Sequence, residues 1–348
     1  AVGTPVTAGT IDAAAEAAAQ TGNPALRKVG QSYLAADAAE LAALGPVDPA
    51  AEEAFVAFAE RLGAPVFASL AAKGTLPENH PLSMRTFRGA PSEKEILDKA
   101  DLLILVGFDV VELFTPGHWN HPQPVVMLDE VAHNDDVIRP KVEVVADLAD
   151  SLSALAESVP ASEGWNLEDL DSYRAMRSAP LFSKGEGLMP GAVVRIAREC
   201  LPDSGIMTAD AGSHKVLASD TWETRRPRGF LTSSGLGSMA VGLPAAIAAK
   251  LVEPQTPVLC LTGDGGFLMR LGDLETAARV GAAIVVVVFN DGFLNLIKIK
   301  QDTRNFQRLG TDFGNTDYVA VAQGLGFEAT RVDSEAALKE ALGKAFAS

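Results

Sequence analysis

Cysteine is nearly missing. Cys200 and Cys260 are the two in 348 residues, and both sit among apolar neighbours, so neither a disulfide framework nor a thiolate metal site is expected. Basic charge is short as well: 29 Lys and Arg stand against 45 Asp and Glu, a net charge of −16. Nucleic acid and anionic membrane surfaces would be repelled and are not expected partners. Long hydrophobic runs are lacking. The longest, Ala282–Phe289, has eight residues, against the roughly 20 that span a bilayer. No basic segment followed by an apolar stretch opens the chain, so a cytoplasmic location is expected rather than secretion. The chain begins with Ala1 rather than Met, as a piece of a longer gene product would.

What is present is material for large cores: 47% of residues are hydrophobic and 21% charged. At about 150 residues per domain the length suggests two domains. Residues 1–45 are Ala-rich, with a helix expected at Ile11–Gln20. From Pro49 helix and strand alternate. Helices are expected at Pro49–Leu62, Lys94–Ala100 and Leu148–Leu155, and strands at Pro65–Leu70, Leu102–Val106, Pro124–Leu128 and Val142–Val145. Short continuous apolar strands between helices indicate parallel strands buried on both faces. Residues 158–188, with several Pro and Gly among polar residues, read as a linker.

The pattern restarts at Pro190. It runs through helix Ala192–Cys200, strand Gly205–Thr208, strand Gly229–Thr232, helix Met239–Leu251 and strand Pro257–Leu261. Helix Leu271–Val280, strand Ala283–Phe289, helix Tyr318–Leu325, strand Glu328–Val332 and helix Ser334–Phe346 complete it. The fold class is α/β: two doubly wound domains with mainly parallel sheets, over residues 1–157 and 189–348.

In such sheets ligands bind beyond the carboxyl ends of the strands. Four loops of the second domain fall there, 210–214, 233–238, 263–266 and 290–293, all rich in Gly, Asp, Asn or Ser. Asp264 and Asp291 are 27 positions apart, one strand–helix–strand turn. On neighbouring strands about 4.8 Å apart they would face one small volume. Two carboxylates there repel unless a cation lies between them, and oxygen ligands with room for phosphate suggest Mg²⁺. Gly265 and Gly266 would let backbone amides approach an anion. No Walker A pattern occurs. Taken singly, these loops are also ordinary turns; their coincidence at one edge favours a site.

Other features carry other readings. Gly235-x-Gly237-x-x-Ala240 follows a strand and opens a helix, as in a dinucleotide fingerprint. The acid at the end of the next strand is Asp264, already in the Gly-Asp-Gly loop, so a nicotinamide or flavin oxidoreductase is the weaker alternative. FAD finds no support elsewhere in the chain. His214 stands in a glycine loop where it could meet a phosphate. His118 and His121 flank Trp119 without metal-ligand spacing and read as surface or packing residues. Met239 could support a ring as a flexible apolar contact. Lys298, Lys300 and Arg304 form a basic patch, most simply a solvated face.

The segment Gly205–Gln301 resembles the diphosphate-binding domain of thiamine-diphosphate enzymes of the acetolactate synthase, benzoylformate decarboxylase and pyruvate decarboxylase type. The resemblance rests on Gly263-Asp264-Gly265-Gly266, on Asn290-Asp291-Gly292-Phe293 and on Gly235–Ala246. Ala64-Pro65-Val66, Lys73–Leu82 and Ala100–Glu112 are similar to the family's central domain. It implies that Asp264, Asp291 and the Phe293 carbonyl hold Mg²⁺. Gly212, Ser213, His214, Gly263, Gly265 and Gly266 would surround the diphosphate. Gly237 would accept from the 4′-amino group, Ser238 would sit beside it, and Met239 would enforce the bent cofactor. The implied chemistry is addition to a small 2-oxo acid, loss of CO₂, then protonation or transfer to an acceptor. Asp291 stands where the family usually has Asn. The family's pyrimidine-binding domain, with its activating glutamate, is matched by no segment. It would come from another chain or a lost domain, within a homo- or hetero-oligomer. A non-catalytic cofactor-binding or regulatory subunit of the same fold is the other alternative.

Overall fold

The computed structural model describes residues 32–36, 49–87, 89, 93–110, 119–133, 136–161, 164–182, 185, 187–234 and 236–347. The chain divides into two compact units. The first reaches to Arg177 and includes Thr224–Arg228; the second takes Ser178–Glu223 and Gly229–Ser348.

The first unit is a six-stranded parallel sheet. Its strands are β1 (Ser32–Ala36), β2 (Val66–Ala68), β3 (Ser83–Thr86), β4 (Leu102–Val106), β5 (Val125–Asp129) and β6 (Val142–Val145), in the order β3-β2-β1-β4-β5-β6. Helix α1 (Pro49–Leu62) starts with Pro at its first position, where the missing N–H costs nothing. It turns Phe55, Phe58 and Leu62 into the core and stops at Gly63, whose φ of 57° suits a residue without a Cβ. Helix α2 (Lys94–Leu97) is one turn, and α3 (Leu148–Ser158) is capped by the Asp147 carboxylate, which accepts from the Asp150 amide at 2.8 Å.

The segment 158–188 is not the simple linker its composition suggests. It contains α4 (Leu167–Ser178), whose Leu170 and Tyr173 are buried in the first unit's core. Those two inward residues are a single turn apart on an otherwise polar helix, too short a signal to mark it. Strand β1 is also absent from the sequence reading. Ser-Tyr-Leu-Ala-Ala lacks a β-branched residue, yet it is paired on both sides, by β2 and β4. The helix expected at Ile11–Gln20 lies outside the described residues, as does His118.

The second unit starts with α5 (Pro190–Cys200) and builds a four-stranded parallel sheet. Its strands are β7 (Ile206–Ala209), β8 (Phe230–Thr232), β9 (Val258–Gly263) and β10 (Val285–Phe289), in the order β10-β9-β7-β8. Helices α6 (Ser213–Thr221), α7 (Gly242–Val252), α8 (Asp264–Met269), α9 (Leu271–Val280), α10 (Asn295–Thr303), α11 (Tyr318–Gly324) and α12 (Glu335–Ala347) complete it. Helix α6 takes in Ser213 and His214, which read from sequence as part of a loop, and α10 falls where the sequence reading gave no element. The strand expected at Glu328–Val332 does not form: those residues make no ladder, and β10 remains the edge. Phe327, just before this segment, and Ala329 within it pack against the second unit's core without a ladder, so side chains rather than strand pairing hold it. No helix among the described residues is long and apolar enough to cross a membrane.

Candidate functional site

From β7 the chain moves outward one way, to β8, and then the other way, to β9 and β10. The reversal lies between β7 and β9, the place where sheets of this kind bind ligands beyond their carboxyl ends. The loops after β7 and β9 meet at that point, and the loops after β8 and β10 flank it.

Asp264 begins α8 directly after β9 and is only 2% exposed. One carboxylate oxygen accepts from the Gly265 amide at 2.8 Å and the other from the Gly292 amide at 2.8 Å. It therefore joins the β9 and β10 loops, as the parallel pairing of these strands allows. Burial raises its pKa; the Gly292, Gly265 and Asp291 amides work against that, and the charge of Asp291 adds to it. Asp291 is exposed, and one of its oxygens accepts from the Phe293 amide at 3.2 Å, closing the turn. That turn is held from behind: Leu294 N donates to Thr311 O and Phe313 N to Gly292 O, each at 2.8 Å. The Phe293 ring carries Lys298 Nζ at 3.6 Å from its centroid, so this member of the basic patch packs on an aromatic face.

His214 lies in the first turn of α6 and is 5% exposed. Its ring stacks on Phe289, with centroids 5.3 Å apart and planes 16° from parallel. Burial lowers its pKa to about 4, although Asp210 pulls the other way. Its Nε2 is buried with no hydrogen-bond partner among the described residues. Glycines make room for this ring: a Cβ on Gly212 would lie 2.6 Å from His214 Cε1, and one on Gly263 would lie 3.4 Å from it. Ser213 stands between Gly212 and His214 as the first residue of α6.

Gly265 faces three apolar tips. A Cβ there would meet Leu294 Cδ2 at 2.9 Å, Phe313 Cζ at 3.1 Å and Met239 Cε at 3.2 Å. Met239 thus reaches the Gly-Asp-Gly loop from the opposite side. Gly237 is exposed at φ 59°, and the Ser238 amide donates to Ser233 Oγ at 3.0 Å. Tyr318 packs edge-on against Phe267 of α8, and its hydroxyl pKa is raised by burial and by Asp264.

Several residues that build this edge were not singled out from sequence. Asp210, 1% exposed, accepts from the amides of Ala211, Ala240 and Val241 and from the Thr262 hydroxyl. Lys215 Nζ donates to Ser233 O at 2.5 Å, and Phe289 is the stacking partner of His214. Available signals were an Asp directly after a buried strand and glycines at 242 and 266. Cys260 lies under the edge in β9, and burial pushes its thiol to about 12, which keeps it protonated. His121 packs against Trp119 and Phe87 in the first unit. The dinucleotide alternative fares less well, because the Asp264 carboxylate turns to the Gly265 and Gly292 amides rather than toward the 235–240 turn.

Oxygen donors dominate this edge. Each Asp264 oxygen accepts from an amide, and a carboxylate oxygen has more than one acceptor position. Among the described residues no three His, Cys, Asp or Glu side chains gather as a metal cluster. A cation here would take two carboxylates and backbone oxygen, a donor set for a hard ion. The unpartnered His214 nitrogen fits an anion beside it.

Residues 210–348 match the C-terminal TPP binding domain of the thiamine pyrophosphate enzymes, and residues 43–155 match their central domain. The chain belongs to the thiamine pyrophosphate enzymes, and among them to the acetolactate synthase type. It is 31% identical to the acetolactate synthase of Bacillus subtilis over 265 residues, covering 74% of this chain and 46% of that protein. It is 31% identical to the large subunit of acetolactate synthase isozyme 1 of Escherichia coli over 288 residues, 80% of this chain and 51% of that one. A probable acetolactate synthase large subunit of Methanocaldococcus jannaschii is 30% identical over 330 residues, 88% and 55% respectively. The chain spans about half the length of the curated relatives it matches.

Proposed function

We propose that this chain supplies the diphosphate and metal half of a thiamine-diphosphate site that decarboxylates a small 2-oxo acid and passes the fragment to a proton or an acceptor. The observation that carries the reading is Asp264, which ties the Gly-Asp-Gly and Asn-Asp-Gly loops together beside a second carboxylate and a buried, unpartnered histidine nitrogen.

Asp264, Asp291 and the carbonyl of Phe293 would hold Mg²⁺, whose charge relieves the repulsion between the two acids. Gly212, Ser213, His214, Gly263, Gly265 and Gly266 would surround the diphosphate, and His214 would offer its free nitrogen. Gly237 and Ser238 would border the aminopyrimidine, with the Gly237 carbonyl as acceptor. Met239 would press on the bend between the two rings. When bound, thiamine diphosphate supplies the nucleophilic carbon and electron sink for cleavage beside a carbonyl. The residues here bind and orient it and exclude water from its diphosphate end. The activating glutamate would come from a pyrimidine-binding domain outside these 348 residues, in a homo- or hetero-oligomer. A cytoplasmic location follows the same reading, in keeping with the scarce cysteines.

Calorimetric titration with thiamine diphosphate tests this. Binding is expected with Mg²⁺ and not in chelator. Asp264→Ala should weaken it about hundredfold, the scale for removing one partner of a buried charge pair. Binding that ignores both Mg²⁺ and Asp264 would overturn the reading.

A further inference from the structure

Asp210 has no place in the chemistry above, yet it is among the most enclosed acids in the chain. We propose that Asp210 is a positioning residue: its carboxylate holds the 239–241 turn in place and thereby delivers Met239, with Gly237 just before it, to the ring-binding face of the site. The proposal rests on the thiamine-diphosphate reading and adds a residue to it.

Asp210 follows β7 at the reversal of strand order. Its Oδ2 accepts from Ala240 N at 3.0 Å and Thr262 Oγ1 at 3.2 Å; its Oδ1 accepts from Ala211 N at 2.9 Å and Val241 N at 3.1 Å. Two of these donors are consecutive amides of the turn that leads from Met239 into α7. That turn needs holding, because Ala240 has φ 69°, a left-handed conformation that a residue with a Cβ disfavours. Anchored this way, the turn brings Met239 Cε to 3.2 Å from the point a Gly265 Cβ would occupy.

Two glycines preserve the arrangement. A Cβ on Gly266 would lie 1.8 Å from Asp210 Oδ2, and one on Gly242 would lie 3.0 Å from Asp210 Cβ. The third glycine of the Gly-Asp-Gly-Gly run, Gly266, therefore leaves room for this carboxylate. A carboxylate is the right group because all four partners donate and it only accepts. An asparagine puts an NH₂ in place of one oxygen, so either orientation leaves at least one turn amide without its acceptor.

The test is calorimetry on the full protein with Mg²⁺ and two probes, thiamine diphosphate and inorganic pyrophosphate. Asp210→Asn should weaken thiamine diphosphate about tenfold or more, as for a lost hydrogen bond to a charged group, while pyrophosphate stays within about threefold. A purely structural role would lower both affinities together, and that result, or no change in either, overturns the inference. Gly242→Ala presses on the Asp210 backbone and should give the same split; it serves if Asp210→Asn does not fold. Failure of the unaltered protein to bind thiamine diphosphate would instead overturn the reading of the site itself.

Discussion

The two sheets of this chain share a plan and end differently. In each, strand order reverses once, between β1 and β4 in the first and between β7 and β9 in the second. Beyond β4 the space is taken by rings: Phe108 packs against Phe87 and Trp119, with centroids 6.3 and 6.4 Å away. Beyond β7 and β9 stand aspartates, glycines and one histidine. Buried charge differs in the same sense. In the first unit the Glu78 carboxylate accepts from Lys73 Nζ at 2.6 and 2.8 Å and from the Thr224 amide at 2.7 Å, a pair complete in itself. In the second, Asp264 feels the like charge of Asp291, and His214 Nε2 has no hydrogen-bond partner among the described residues. Closed polar groups belong to the fold, and on the function proposed above the open ones at the strand-order reversal would meet a ligand.

The largest effect that could break this contrast is in the first unit. Lys73→Met leaves Glu78 buried without its cation and should cost about 3–5 kcal/mol of stability in denaturant titration. A loss below about 1 kcal/mol, the scale of an exposed pair, would mean the pair is not the closed element described.

The pH dependence of the second unit comes next. The folded pKa of His214, about 4, lies below its ordinary 6.5. Between those values the unfolded chain binds a proton that the fold rejects, so stability rises with pH across the window and is lost as pH falls toward 4. The term should approach about 3 kcal/mol and vanish in His214→Gln, read from unfolding free energy against pH. An unchanged slope in the variant would place the histidine in water.

Gly266→Ala is smaller. Its Cβ collides with Asp210 Oδ2, and overpacking of this kind costs about 1–3 kcal/mol. An unaffected midpoint would mean Asp210 is free to move. Smallest is Arg195→Ala, which breaks exposed pairs to Glu199 and Glu335. It should cost under about 1 kcal/mol, and a larger loss would argue that surface charge rather than buried charge holds this unit.

The sequence carried much of this contrast, unevenly. Strands β4, β5, β9 and β10 are legible because unbroken apolar runs leave no other reading. Strand β1 is not, since its place in the sheet comes from the strands on both sides rather than from its own residues. Helix α6 was hidden because it buries Lys215, Ser219 and Asp220 and so shows no apolar stripe. In the site, Asp264 and Asp291 could be paired from spacing alone, because β9 and β10 are neighbours. Asp210 could not be, since its partners at 240, 241 and 262 are fixed only by tertiary folding.

The most direct measurement is an electron-density map of the protein crystallised with Mg²⁺ and thiamine diphosphate. The expected map has a cation on the carboxylates of Asp264 and Asp291 and a phosphate oxygen within hydrogen-bond distance of His214 Nε2. Cofactor bound elsewhere, or diphosphate at this edge with no cation on Asp264, would contradict the claim that the open groups of the second unit are its ligand site.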